Sequence, residues 1–302
     1  MNRRLAALAV FAAVFGGTIQ PVMAEIAMGY WSWDNVAEPL DLGPASDRTC
    51  FLQGVTGQLE GEWKGPRASV SVRIENDRWI LEVSAGVGIG VRGHATCIDR
   101  TSNRKFMAWA GNSENNPFNK TVEPTSGPRG PLTQCFLTSV TGTDGWKSPN
   151  SFVRLAREEV YENGQMVPKW TLSGDLLWEQ DNTAGGSAGA VCVDIWQLTS
   201  SYGWHTWSGS AGETGFITPL SKTVCSVQRL VGNFAAAPLA LNDGVRVFPS
   251  GNGWWSVFSS TGKGIYGECL KDLSFEFFPY LKSFSPPTPR QGPRRPIPPH
   301  SY

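Results

Sequence analysis

Apolar and polar positions alternate in short runs along this chain, and the runs recur three times in the same order. Each set opens with Cys, any residue, an apolar residue, two variable positions, Val or Leu, one variable position and Gly. The three openings are Cys50 to Gly57, Cys135 to Gly142 and Cys225 to Gly232. A strand signal interrupted by arginine follows, as Val72-Arg73-Ile74, Val153-Arg154-Leu155 and Val245-Arg246-Val247. Turn residues come next (Glu75-Asn76-Asp77, Asn163-Gly164, Pro249 to Gly253), then a strand led by tryptophan: Trp79-Ile80-Leu81, Trp170-Thr171-Leu172 and Trp255-Ser256-Val257. Such runs either side of Asn, Asp and Gly predict β-hairpins. A glycine-rich connection then leads to a closing cysteine, Cys97, Cys192 or Cys269, with Asp99, Asp194 or Asp272 just after it.

No window keeps a helical period; the nearest, Phe152 to Glu162, is broken by the β-branched, Gly and Pro content around it. The pattern predicts an all-β chain of three pseudo-repeats with about four strands each, over 25–105, 106–200 and 201–284. Short linkers between them favour one packed, pseudo-threefold body. A second tryptophan motif, around Trp33, Trp109 and Trp207, falls between the units. A degenerate fourth copy at Phe277 to Tyr280 would close the ring.

Composition agrees with a folded chain: 40% apolar residues and 13 Trp in 302 residues argue against disorder. Arg3-Arg4, an apolar run from Leu5 to Ile19 and Val22-Met23-Ala24 read as a secretory signal over 1–24. Export to the periplasm or beyond permits disulfides. One cysteine opens each unit and one closes it, which predicts Cys50–Cys97, Cys135–Cys192 and Cys225–Cys269. Each would close a loop of roughly 45 to 55 residues, worth about 3–4 kcal/mol. With no C-x-x-C and only three histidines, no metal and no cofactor are expected. The stretch 285–302 is Pro-rich and basic, a disordered tail. Without Arg3, Arg4 and the three tail arginines, 21 basic residues face 26 acidic ones, which speaks against a nucleic-acid partner.

Candidate chemistry is sparse. Gly185 to Gly189 matches the G-x-S-x-G pattern around Ser187, but it falls in a glycine-rich connection with no strand–helix alternation, so a flexible loop is expected. His94 is expected at the surface, and His205 lies beside aromatic platforms in Trp204-His205-Thr206-Trp207. Paired carboxylates such as Asp99 and Asp194 would serve a hydrolase only across a cleft. Trp33, Trp109, Trp207, Trp79, Trp170 and Trp255 recur and should build the core. Trp31, Trp63, Trp146, Trp178, Trp196, Trp204 and Trp254 do not, and exposed indoles suit sugar rings or protein partners. Trp204, His205 and Trp254 are the leading ligand contacts. Arg73, Arg154 and Arg246 could line a shared anionic site from equivalent positions.

Cys50-Phe51-Leu52 to Gly57 and Cys135-Phe136-Leu137 to Gly142, with the later Val-Arg, Trp-x-Leu and closing Cys, resemble repeat modules of bacterial surface-exposed, pilus-tip-like and phage-tail-like proteins. The third unit departs, with Ser226-Val227 in place of Phe-Leu. The resemblance implies recognition at a surface and carries no catalytic residue over. The expectation is a secreted, non-catalytic protein that binds a cell-surface glycan or envelope protein, without a transmembrane segment once the signal is removed. The rivals are a carboxylate-dependent hydrolase and a structural envelope component or inhibitor.

Overall fold

The computed structural model of the chain describes residues 30–35, 38–59, 68–85, 90–98, 104–110, 121–124, 132–142, 146, 148–176, 186–195, 198–208, 212–219, 223–234, 243–250, 253–260 and 262–272. The expected signal, the tail, the Phe277 to Tyr280 copy, Asp99, Trp63, Trp178 and Trp196 lie outside them. Every regular element among the described residues is a β-strand. The first unit holds β1 (Tyr30–Asp34), β2 (Leu40–Pro44), β3 (Thr49–Gly57), β4 (Ala68–Glu75), β5 (Arg78–Ser84) and β6 (Val91–Ile98). The second holds β7 (Lys105–Ala110), β8 (Thr121–Pro124), β9 (Leu132–Gly142), β10 (Phe152–Glu162), β11 (Gln165–Asp175) and β12 (Gly186–Ile195). The third holds β13 (Leu198–Ser208), β14 (Gly212–Pro219), β15 (Thr223–Gly232), β16 (Gly244–Pro249), β17 (Trp254–Ser259) and β18 (Lys263–Asp272). Among the described residues each unit therefore has six strands, not about four. The two extra strands precede each opening cysteine, in stretches that look like linkers because their Trp motifs lack clean alternation. β7 and β13 cross the expected unit limits.

The strands form three antiparallel sheets, ordered β1-β6-β3-β16-β17-β14, β13-β18-β15-β10-β11-β8 and β2-β5-β4-β9-β12-β7. In each, the first, sixth and third strands of one unit continue into the fourth, fifth and second strands of another. Neighbouring units are thus joined edge to edge, along three seams: β3–β16, β15–β10 and β9–β4.

Within a unit the two halves pack face to face. A methyl group at Gly93 on β6 would lie 2.5 Å from Val70 Cγ1 on β4, and one at Gly174 on β11 would lie 2.7 Å from Trp109 Cη2 on β7. Glycine at these strand positions lets the layers approach. The disulfides are Cys50–Cys97, Cys135–Cys192 and Cys225–Cys269, as the repeat predicts. Each links the third and sixth strands at directly opposed positions, and all six cysteines are buried. Buried disulfides of this kind belong to an oxidising, extracytoplasmic environment.

The tryptophan strands share one device. Trp79, Trp170 and Trp255 are buried and donate their indole N–H to the carbonyls of Arg48, Thr133 and Thr223, at 2.7, 2.8 and 2.9 Å. Each acceptor stands two residues before an opening cysteine. A buried indole thereby satisfies its donor while its ring fills the core. Two of the predicted hairpin turns are present: Asn76 and Asp77, and Asn163 and Gly164, all have positive φ, while the third, Pro249 to Gly253, lies partly outside the described residues. That conformation matches the twist of a two-residue hairpin.

The three units also meet through their third strands. Phe51 stacks on Phe136 with centroids 4.1 Å apart. Gln53 donates to Cys225 O at 2.6 Å and Gln228 to Cys135 O at 3.2 Å, each across a unit boundary. Past the closing glycines, Leu59 N donates to Phe234 O and Phe234 N to Trp146 O. Leu59, Trp146 and Phe234 are all fully buried, and Trp146 meets Phe234 edge-on at 5.0 Å. Trp146 is therefore core rather than a surplus, exposed indole. It fails to recur because the other units place Leu and Phe there.

Candidate functional site

One cross-strand row in each sheet stands at the same place relative to the cysteines. In the first sheet the row is Arg246–Gly54–His94–Ser32. In the second it is Arg154–Arg229–Tyr266–Thr206. In the third it is Ser71–Ser139–Gly189–Ala108. The three arginines are thus not equivalent. Arg154 and Arg246 share a position, Ser71 takes it in the first unit, and Arg73 stands two residues further along β4. The Val-Arg alignment slips because one hydrophobic alternation looks like the next.

The rows carry different cargo. In the first sheet the Arg246 guanidinium lies 5.0 Å from the Phe248 ring centre and 5.2 Å from that of Phe258. In the second, Arg229 lies 4.6 Å from Phe152 and 5.2 Å from Tyr266. Both are guanidiniums laid on aromatic faces. The third row has no side chain larger than serine, and an open trough of about 720 Å3 runs over it. Its walls come from two units, with Arg73 and Ile74 of β4 on one side and Phe106, Met107 and Trp109 of β7 on the other. Thr138 and Ser187 add hydroxyls to the floor.

Ser187 is a strand residue, not part of a loop or an elbow. Gly186 to Ala190 pair with β9, and the Ser187 and Thr141 hydroxyls share a 2.7 Å hydrogen bond. The glycines here serve close packing, since a methyl at Gly189 would lie 2.6 Å from Ser139 Oγ. Arg73 is held by two carboxylates, Glu75 at 2.7 Å and Glu82 at 3.0 Å. Phe106 is 56% exposed. Trp109 is only 5% exposed, yet its indole N–H has no partner among the described residues. In the first unit the corresponding Trp33 donates to Glu38 O at 2.7 Å.

The remaining candidates are dispersed. Trp254 is 39% exposed at the start of β17, in the first sheet. Trp204 and His205 lie in β13, and their side chains are outside the described residues. Arg154 is exposed and pairs with Glu158 at 3.3 Å. Asp194 is nearly buried and accepts from the Thr133 hydroxyl at 3.1 Å. The residues that sequence reasoning missed are Ser71, Ser139 and Phe106. The signal available was small residues where the other copies carry long ones, four positions after an opening cysteine (Gly54, Ser139, Arg229) and three before a closing one (His94, Gly189, Tyr266).

His94, expected at the surface, is fully buried in the first row. Its Nδ1 is 2.8 Å from the Tyr30 hydroxyl and its Nε2 is 3.1 Å from that of Thr56. Burial, with Arg246 of β16 and Arg92 of β6 nearby, holds its pKa well below the usual histidine range. Burial likewise pushes the Tyr30 phenol up, and Asp34 of β1 lies 3.8 Å from Arg92. Above about pH 6.5 the residue is neutral whether folded or not. Below it the unfolded chain takes up a proton that the folded ring resists. Stability therefore falls with pH from about 6.5 down to the folded pKa, by about 1.4 kcal/mol per pH unit. Urea midpoints from pH 8 to 5 should fall more steeply for the wild type than for His94→Gln; equal slopes would exclude His94 as the source.

No family model, curated protein or solved structure matches the chain.

Proposed function

We propose that this chain is a secreted, non-catalytic binding protein, one pseudo-threefold body of three exported units, which recognises a cell-surface glycan or envelope protein in the trough over β4, β9, β12 and β7. One observation carries this proposal. Of three matching rows, two are filled by the chain's own arginines on aromatic rings, and the third is emptied down to Ser71, Ser139, Gly189 and Ala108. An open, strand-floored depression with a few convergent polar groups is the usual form of a binding site. The disulfides and the common strand order of the three sheets support the extracytoplasmic, repeated body. Among the described residues that line the trough none is a carboxylate, so they give the acid-pair hydrolase no support. Contact shifts from the expected tryptophans to Arg73, Phe106 and the hydroxyl floor.

Ser139→Arg tests this, because it supplies the side chain that Arg229 supplies in the third unit. Ser139 is half-buried beside open space, so the variant is expected to keep its thermal midpoint within a few degrees. Retention on an envelope fraction should drop tenfold or more. Unchanged retention by a folded Ser139→Arg protein would remove the trough from the account.

A further inference from the structure

We infer that the β10–β11 hairpin is the docking site for the chain's own proline-rich, basic segment 285–302, whose arginines meet Glu159 and whose proline rings lie on Tyr161 and Met166. The hairpin overshoots its sheet. β10 pairs with β15 only as far as Arg154, and β8 accompanies β11 only over Lys169 to Leu172. The pairs from Glu159↔Pro168 to Glu162↔Gln165 therefore stand as a two-stranded arm among the described residues. In the other units the second strand follows the hairpin to the first residue of its returning strand, as Pro44↔Arg78 and Pro219↔Trp254.

Two strands alone are marginal in water, and this arm carries exposed apolar and acidic side chains together. Tyr161 and Met166 are directly opposed, 71% and 55% exposed, on the face that carries the buried Trp170 further down. Glu159 shares that face, is exposed and has no ion pair among the described residues. Alternation from the closing pair Glu162↔Gln165 turns the backbone N–H and C=O of Glu159 and Tyr161 away from β11. β10 thus offers an open edge of the kind that proteins cover, whereas β11 is blunted by Pro168, which has no N–H.

Charge selects the occupant. From Glu158 to Lys169 the arm has three glutamates and one lysine, so a second copy's arm would set glutamate against glutamate. The segment 285–302 holds Arg290, Arg294 and Arg295 and no acidic residue. Its prolines favour an extended form that suits an aromatic ring, and they cannot pass strand pairing on to a further chain.

The place where the chain leaves the body agrees. β10 and β18 both run antiparallel to β15, so the arm and Asp272 lie at the same end of the second sheet, with their strands two spacings, about 10 Å, apart. One side chain spans that gap near the root of the arm. Arg157 donates to Gln134 Oε1 at 2.8 Å, and Gln134 Nε2 donates to Glu268 of β18 at 2.9 Å. From Asp272 to Arg290 the chain extends up to about 55 Å, so the segment reaches the arm of its own molecule.

The test follows the Met166 methyl group in the whole, disulfide-bonded chain labelled with 13C-methyl methionine, with the buried Met107 as reference. Deleting 285–302 should shift Met166 and leave Met107 in place, and adding the synthetic peptide 285–302 to the shortened chain should restore the Met166 position. Arg294→Glu with Arg295→Glu in the whole chain should reproduce the deletion, and adding Glu159→Lys to that pair should return Met166 toward its original position. Glu159→Lys alone should weaken peptide binding about tenfold, because it turns attraction into repulsion, and high salt should weaken it too. The docking fails if the deletion leaves Met166 unmoved, or if peptide binding is indifferent to Glu159→Lys. A Met166 shift that grows with protein concentration would place the segment on a second copy and overturn docking within the chain.

Discussion

Reducing the three disulfides is expected to unfold this chain at neutral pH and room temperature. The bridges span 47, 57 and 44 positions, and each closed loop carries the fourth and fifth strands of its unit out to a different sheet. On the chain-entropy model each loop contributes about 4 kcal/mol, so the set contributes on the order of 12. That equals most or all of the roughly 5–15 kcal/mol by which folded domains exceed their unfolded states. Because all six cysteines are fully buried, a reductant reaches the sulfurs only after opening. At high reductant concentration the rate of loss should therefore follow unfolding and stop depending on reductant. Near-ultraviolet circular dichroism with thiol titration measures both. A fully reduced protein that keeps its native spectrum and thermal midpoint would show that the cores alone suffice. Replacing only Cys225 and Cys269 by alanine should cost about 2–4 kcal/mol and leave the other two bridges intact.

The bridges were legible because each sits at a fixed place in a pattern copied three times, and so were the core roles of Trp79, Trp170 and Trp255. What repetition could not reveal was partner choice. β3 pairs with β16, nearly two hundred residues away in the chain, because its open edge is completed by another unit's hairpin and not by its own. Local alternation says which residues share a face but not which edge they join. For the same reason Arg73 looked equivalent to Arg154 and Arg246, although the register sets it two residues away. Trp146 illustrates the converse: a buried place that all units fill, with Leu59 and Phe234 as its counterparts, leaves no motif when the residue types differ. The trough was hardest to see because it consists of side chains that are missing. Ser71, Ser139 and Gly189 acquire meaning only beside Arg246, Arg229 and Tyr266.

None of the bridges crosses a seam, so the joints between units rest on non-covalent pairing, and the seam of β3 with β16 shows how narrow that support is. It consists of the pairs Gly244↔Thr56, Val245↔Val55 and Arg246↔Gly54. Gly54 has φ +155° and Gly244 +154°. A methyl group at Gly54 would meet Val245 O and lie 2.5 Å from Arg246 Cα, and one at Gly244 would meet Val55 O and lie 2.5 Å from Thr56 Cα. Both obstacles are backbone of the opposite strand, which cannot swing aside as a side chain does. Ser139 and Arg229 occupy the matching position in the other seams, so glycine is demanded by this seam and not by the strand position itself. Gly54→Ala should therefore cost roughly 3 kcal/mol or more, combining left-handed strain with a displaced partner strand. It should also loosen His94, whose contact with Thr56 lies in the same seam. Gly253→Ala is the control: it too has a positive φ, +83°, but a methyl there meets nothing within 4 Å. That change should cost only about 1–2 kcal/mol. Urea midpoints for the two variants decide the matter. Equal losses would mean that backbone conformation alone fixes Gly54, whereas a clear excess at Gly54 locates stability in the closeness of the first and third units.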